Sequence, residues 1–368
     1  MHRASVAALS AALALAGSAG HAAEKPLQIV MVDVEGGAAT MFVTPEGQSV
    51  LIDTGWPAGM GNPRPPANGP PPPPPPSSAE RIVAAAAELG VKKIDYLVVT
   101  HYHVDHVGGV HELLARMPVG TFIDHGPNRE EFTPQPPNSL TPNAGHPVSL
   151  YPKYEAATAG HNRRTVKPGD KITIGSLVLD FVTADGVAIT EPLVAGLPPT
   201  PHCDVPGKSE IGGEENVRST GFVATFGKAR ILDLADTTWD QEKKLVCPAN
   251  LLGKIDLNIV SHHGSQLSSS PPLIAATAAR VALVANGERK GGDKATLDSF
   301  ASNVPKPVVW QVHQATRDPD ANRPADYIAN LDGVADNRYA IKAEVSKDGT
   351  IKVVNARNGF TETYPPGK

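Results

Sequence analysis

The sequence predicts an α/β fold in which two sheets are flanked by helices. Three observations carry that expectation. Short segments with alternating apolar residues occur in both halves of the chain, segments of helical character lie between them, and several apolar strands stop on Asp or His. At 368 residues the chain can bury a large core and still form one domain.

Residues 1–23 carry His2 and Arg3, then an apolar segment at 6–16, then small residues, which is the pattern of a cleaved secretory signal. The apolar run is shorter than the roughly 20 residues that span a bilayer. Residues 24–368 are therefore expected to be a single exported domain, periplasmic or secreted, with no membrane span. Cys203 and Cys247 suit an oxidising compartment as a disulfide, or else stand as two buried thiols. With 33 basic and 38 acidic residues and a net charge of -5, nothing in the overall balance advertises a nucleic-acid-binding surface. The expected partner is a small-molecule or phosphoester substrate.

Early strands are expected at residues 27–34, 39–43 and 50–53, with Pro45-Glu46-Gly47 as a turn. Residues 62–78 form a Pro-rich insertion, because the unbroken prolines of 70–76 cannot donate ladder hydrogen bonds and favour polyproline II. Ser78 caps an Ala-rich helix over 79–89 that Gly90 stops, and the apolar run 96–100 follows as a buried parallel strand. A helix over 110–116 and a strand over 120–124 come next. The stretch 126–168 is rich in Pro, Asn and Gly without clear periodicity and reads as an irregular loop. Strand patterns resume at 171–174, 177–183, 221–226 and 230–234, a helix covers 238–246, and a strand covers 257–261. Pro271-Pro272 opens a helix ending near Arg280, and strands follow at 281–285, 308–312 and within 340–354.

The run His101-Tyr102-His103-Val104-Asp105-His106, followed by Gly108-Gly109, carries the chemistry. His101 and His103 are two apart at the end of an extended segment, so their side chains point the same way and both rings can hold one cation. Asp105 and His106, beyond the bend, can reach a second ion beside it. Asp53 ends a strand and reads either as a turn residue or as a carboxylate accepting a ring N–H from a ligating histidine. Asp236 follows another strand and reads either as a helix cap or as a carboxylate bridging two metals. His262-His263-Gly264-Ser265 follows a third strand and offers a further ligand.

Taken in order, Asp53-Thr54-Gly55, the six-residue run, Asp236 and His262-His263-Gly264-Ser265 resemble the metallo-β-lactamase superfamily over about residues 27–290. Within it, Val32-Asp33-Val34-Glu35-Gly36-Gly37 and the HHGS ending look most like the metallo-hydrolase domain of bacterial competence (DNA-uptake) proteins, and phosphorylcholine esterases look similar too. The resemblance implies a four-layer αββα sandwich with two divalent ions at one edge between the sheets. It implies that His101 and His103 hold the first ion, Asp105 and His106 the second, that Asp236 bridges them, and that one of His262 or His263 completes the set. Many members supply a further histidine to the first ion. Here His111, His125, His146, His161 and His202 fall in that interval and none is matched to it, while Asn216 and Ser219 resemble the Asn and Ser pair of the competence branch.

The expected chemistry is metal-assisted hydrolysis by a hydroxide formed at two cations, with Asp105 orienting the nucleophile. Imidazole and carboxylate ligands admit zinc first, and manganese or iron as well. A phosphoester or phosphodiester is the expected substrate by resemblance. Two alternatives stay open: hydrolysis of a lactam, lactone or thioester, or a non-catalytic metal-binding protein with an incomplete first site. His125, His161-Asn162-Arg163-Arg164 and His313 are substrate-pocket candidates.

Overall fold

A computed structural model describes residues 24–61, 75–132, 134, 143–209, 214–302, 307–331 and 338–367. Two nine-stranded sheets pack face to face. Across the first, the strand order is Thr361–Tyr364, Ile351–Asn355, Ile341–Val345, Leu27–Met31, Thr40–Val43, Ser49–Ile52, Ile94–Val98, Val119–Asp124 and Asn162–Thr165. Across the second it is Ile328–Asn330, Val308–His313, Val281–Val284, Leu257–Ile259, Ala229–Asp233, Gly221–Phe226, Leu177–Ala184 and Lys171–Ile174, with Val187–Ala188 beside Leu177–Ala184.

Period-two alternation decides which face each residue covers. Leu27, Ile29 and Met31 turn into the core between the sheets, where they meet Phe181, Phe222 and Trp310. Val30 and Leu51 turn the other way and pack under the helices Ser78–Glu88, Val110–Leu114 and Pro147–Thr158. The second sheet is covered in the same manner by Trp239–Val246, Pro271–Thr277 and Lys294–Ser302. The expected four-layer αββα sandwich follows.

Four strands of the first sheet, from Ser49–Ile52 to Asn162–Thr165, run parallel, as do five of the second, from Ala229–Asp233 to Ile328–Asn330. Helical crossovers between parallel strands must lie on a face, so the strand ends stay clear at one edge. Asp53, the run 101–106, Asp236 and the pair His262-His263 all lie just beyond such ends.

Several expectations shift. Ser77, not Ser78, caps the first helix: its hydroxyl accepts the Glu80 N–H (3.4 Å) while the Glu80 carboxylate accepts the Ser77 N–H (2.9 Å), a reciprocal box. Most of the Pro-rich insertion, 62–74, lies outside the described residues. The stretch 126–168 is not wholly irregular. It contains the helix Pro147–Thr158 and the edge strand Asn162–Thr165, whose signals were masked by Pro152 inside the helix and by an almost fully exposed strand. Cys203 and Cys247 form a disulfide with Cα atoms 5.7 Å apart. Among the described residues no helix is long and apolar enough to cross a membrane.

One buried network joins the two sheets. Arg81 contacts Asp33 and Glu35, each at 2.8 Å, and Asp33 also takes His313 Nε2 at 2.7 Å. His313, a pocket candidate on sequence, is consumed in this network.

Glu242 does similar work within the second half. Its buried carboxylate accepts the N–H groups of Ser269 (2.6 Å) and Ser270 (2.7 Å), fixing the entry to the helix Pro271–Thr277. Burial pushes this carboxyl up to about 7, against the opposing hydrogen bonds of Ser270 and Ser269. Because the folded value lies above the ordinary 4.5, the stabilisation is fully present below that pH and declines as pH rises through the folded value. Glu242→Ala is expected to cost about 2 kcal/mol in urea unfolding at pH 5, and less at pH 8. Equal losses at the two pH values would contradict this assignment.

Candidate metal centre

Backbone shape at the strand ends turns the side chains inward. Asp53, Ala235, His262 and His263 all have positive φ, 58°, 48°, 53° and 54°, a region costly for residues other than glycine and tolerated where the surroundings enforce it. The enforcing contacts are visible. Thr54 N–H and Oγ1–H both donate to His106 O (2.8 and 2.9 Å), Ala38 N–H donates to Asp105 O (3.0 Å), and His262 N–H donates to Ala235 O (2.8 Å). Gly109 is required by this closeness, since a Cβ there would collide with the Thr54 carbonyl oxygen.

Asp53 organises the site without facing it. Its buried carboxylate accepts the Thr100 N–H (2.8 Å) and the Thr100 Oγ1–H (2.7 Å), and takes His106 Nδ1 at 2.7 Å. With the Nδ1 proton of His106 given to Asp53, the Nε2 lone pair is left for the site. The Thr100 oxygen, having donated its own proton, can accept from His101 Nδ1 at 3.1 Å. That leaves His101 Nε2 turned toward His103 Nδ1, 3.0 Å away. The accepting-carboxylate reading of Asp53 therefore describes its contacts, and its positive φ makes it a turn residue as well.

Asp105, His106, Asp236 and His263 converge in one buried group whose candidate ligand atoms all lie within 4.8 Å of one another. His106 Nε2 is 3.3 Å from Asp105 Oδ2, 3.2 Å from Asp236 Oδ2 and 3.2 Å from His263 Nε2. His263 Nε2 is 3.1 Å from Asp105 Oδ2, and its Nδ1 donates to Ala285 O at 3.0 Å. Two carboxylates and two imidazole nitrogens, each ring anchored from behind, are a donor set that suits a divalent cation. His101 and His103 form a neighbouring pair, with His101 Nε2 4.0 Å from Asp236 Oδ2. Asp236 thus lies between the two sets. The Ser219 hydroxyl accepts its backbone N–H (3.3 Å), which gives the sequence-matched serine a concrete task.

The electrostatics agree with the geometry. Burial opposes charge on His106, but Asp236, Asp105 and Asp53 outweigh it and hold the ring well above its usual range. Burial and the neighbouring His106 and His103 keep His101 well below it. Asp105 is held well below the carboxylate range despite burial, by Lys290 and His106, and Asp236 by His106, His263 and His262. A field that favours positive charge among these carboxylates is one that favours a cation.

Between the two adjacent histidines the structure distinguishes positions. His263 enters the four-residue group, whereas His262 is half-buried, with Nε2 3.7 Å from Asp236 Oδ2 and Nδ1 3.3 Å from Ser268 Oγ. Of the pocket candidates, His125 is buried against Glu215 (3.2 Å), and Arg163 is engaged with Asp124 at 2.5 Å. His161, Asn162 and Arg164 are exposed at or beside the edge strand Asn162–Thr165.

Two residues of the site were not anticipated. Lys290 Nζ bonds to Asp105 Oδ2 and lies 5.1 Å from the centroid of the Trp56 ring. Its only sequence signal was a cation in the glycine-bearing loop after the strand Val281–Val284, at the same edge. Glu130 Oε2 stands 3.5 Å from His103 Nε2, and its Oε1 is 3.3 Å from the ring of His146, which follows Gly145.

Residues 33–215 match the metallo-β-lactamase superfamily. Among solved structures, the metallo-β-lactamase fold protein YhfI from Bacillus subtilis aligns at 11% identity and TM-score 0.44, covering 78% of this chain and 96% of that one. CmlA, a diiron β-hydroxylase from Streptomyces venezuelae, aligns at 17% identity and TM-score 0.37, covering 72% and 45%. A diphosphatase of the PhnP family aligns at 13% identity and TM-score 0.35, covering 70% and 86%. No curated protein matches the chain.

Asp53→Asn tests the organising role, since it keeps volume but replaces an acceptor with an amide. Metal affinity, measured by competition with a chelator, is expected to fall by about 10–100-fold. Unchanged affinity would show that His106 and His101 orient themselves without Asp53.

Proposed function

The chain belongs to the metallo-β-lactamase superfamily, and on that premise we propose that it is an exported metal-dependent hydrolase acting on an anionic phosphoester. The observation that carries this reading is the buried Asp105, His106, Asp236 and His263 group with the Lys290 ammonium bonded to one of its carboxylates.

His101, His103 and Asp236 would hold one ion, and Asp105, His106, His263 and Asp236 the other. Two divalent cations, zinc by preference and manganese or iron as substitutes, would acidify a water and polarise a phosphoryl oxygen. Asp105 would orient that water. Lys290, whose side chain is 33% exposed, offers a point charge for a phosphate oxygen at the mouth of the site. His262 stands beside Asp236 on the more open side and can contact the same group.

A lactam, lactone or thioester places less negative charge at the reacting centre and makes less use of a lysine there. The likeness to competence-protein and phosphorylcholine esterase domains points the same way. Export is supported by the N-terminal pattern of residues 1–23 and by the Cys203–Cys247 disulfide, which belongs in an oxidising compartment.

A substrate panel on the purified protein lacking residues 1–23 tests the reading. Chelator-sensitive turnover of bis-p-nitrophenyl phosphate is expected to exceed that of lactams, lactones and thioesters. Lys290→Ala should raise KM for the phosphodiester about 10-fold, equivalent to one charge-assisted contact, with metal content unchanged. Faster turnover of the lactams, lactones or thioesters would reassign the substrate, and no turnover with one bound ion would favour a binding protein.

A further inference from the structure

The run His101-Tyr102-His103 is gripped from outside the metal centre by a second set of buried groups. Glu130 is 9% exposed and is held at both carboxylate oxygens. Its Oε1 lies 3.3 Å from His146 Nε2, and its Oε2 accepts the Glu215 N–H at 3.1 Å and stands 3.5 Å from His103 Nε2. Glu215 is buried in turn and accepts the Tyr102 N–H at 3.0 Å, beside His125 Nε2 at 3.2 Å. The Tyr102 hydroxyl donates to Gly126 O. Three contacts, through Glu130, Glu215 and Gly126, therefore fix the backbone and two rings of this short run.

The geometry at His103 is specific. A ring has two nitrogens, and His103 presents Nδ1 to His101 Nε2 at 3.0 Å and Nε2 to Glu130. A carboxylate at Nε2 favours the tautomer protonated there, which leaves the Nδ1 lone pair facing His101. Asp53 stands closer behind His106, at 2.7 Å from Nδ1. An ion held there by His101 and His103 would depend on the orientation of each ring.

We propose that Glu130, itself anchored by His146 and the Glu215 amide, is the positioning residue that aims His103 Nδ1 at the first divalent cation. This rests on the reading that His101 and His103 hold a cation. Glu130 does not itself ligate. It acts through His103, as Asp53 acts through His106 and, by way of Thr100, through His101.

The test is titration of the metal-free full mature chain with Zn2+ in competition with a chromophoric chelator, beside thermal melting of the metal-free protein. Wild type is expected to bind two ions, and His103→Ala to lose one of them. Glu130→Gln should bind one ion with wild-type affinity and the other about 10–100-fold more weakly, with a metal-free melting temperature within about 2 °C of wild type. If Glu130→Gln does not fold, Glu130→Asp, which withdraws the carboxylate by one methylene, carries the same titration and the same expectation. Wild-type binding of both ions by the Glu130 variant while His103→Ala loses one would overturn the positioning role. Equal weakening of both ions would overturn it too. Wild-type binding of both ions by His103→Ala would instead overturn the reading beneath it.

Discussion

The Asp53 carboxylate is the constraint on which the rest of the site depends. It is a buried carboxylate that no lysine or arginine among the described residues meets, satisfied by the Thr100 amide and hydroxyl and by His106. A buried carboxylate is costly unless its oxygens are occupied, so the loop after the strand Ile94–Val98 must follow a path that delivers those donors. Once it does, the protons on His106 and His101 are assigned, and the Nε2 lone pair of His106 faces Asp105 and Asp236 while that of His101 faces His103. A chain of hydrogen bonds thus converts a strand-end aspartate into the orientation of two rings.

The sandwich supplies the frame for that chain. Parallel strands in both sheets end at one edge, and the loops that leave them approach closely enough to demand glycine at 109 and positive φ at 53, 235, 262 and 263. Such strain persists only where surrounding contacts enforce it. Two carboxylates packed together in low dielectric repel each other unless positive charge lies between them. A bound cation would relieve that conflict, and its binding energy would then count toward folding.

Much of this was legible in the sequence because periodicity and strand-end chemistry are local signals. The alternation at residues 27–31 and the run 101–106 each announce themselves within six residues, and the order of Asp53, Asp236 and the paired histidines supplied the family likeness. Partnerships across long separations were not legible. Asp33 meets His313 across 280 positions, and Lys290 meets Asp105 across 185. His262 and His263 could be told apart only once the backbone showed which ring enters the group. Glu130 lay in a stretch without periodicity, where a carboxylate has no distinguishing neighbours, and its role depends on two imidazoles brought from elsewhere.

The central claim is that these strand ends assemble two adjacent cation sites sharing Asp236. Anomalous diffraction at the zinc absorption edge, on crystals of the zinc-loaded protein, tests it most directly. The account predicts two peaks, one bounded by Asp105, His106 and His263 and one by His101 and His103, with Asp236 reaching both. A single peak, or peaks placed away from these residues, would contradict it.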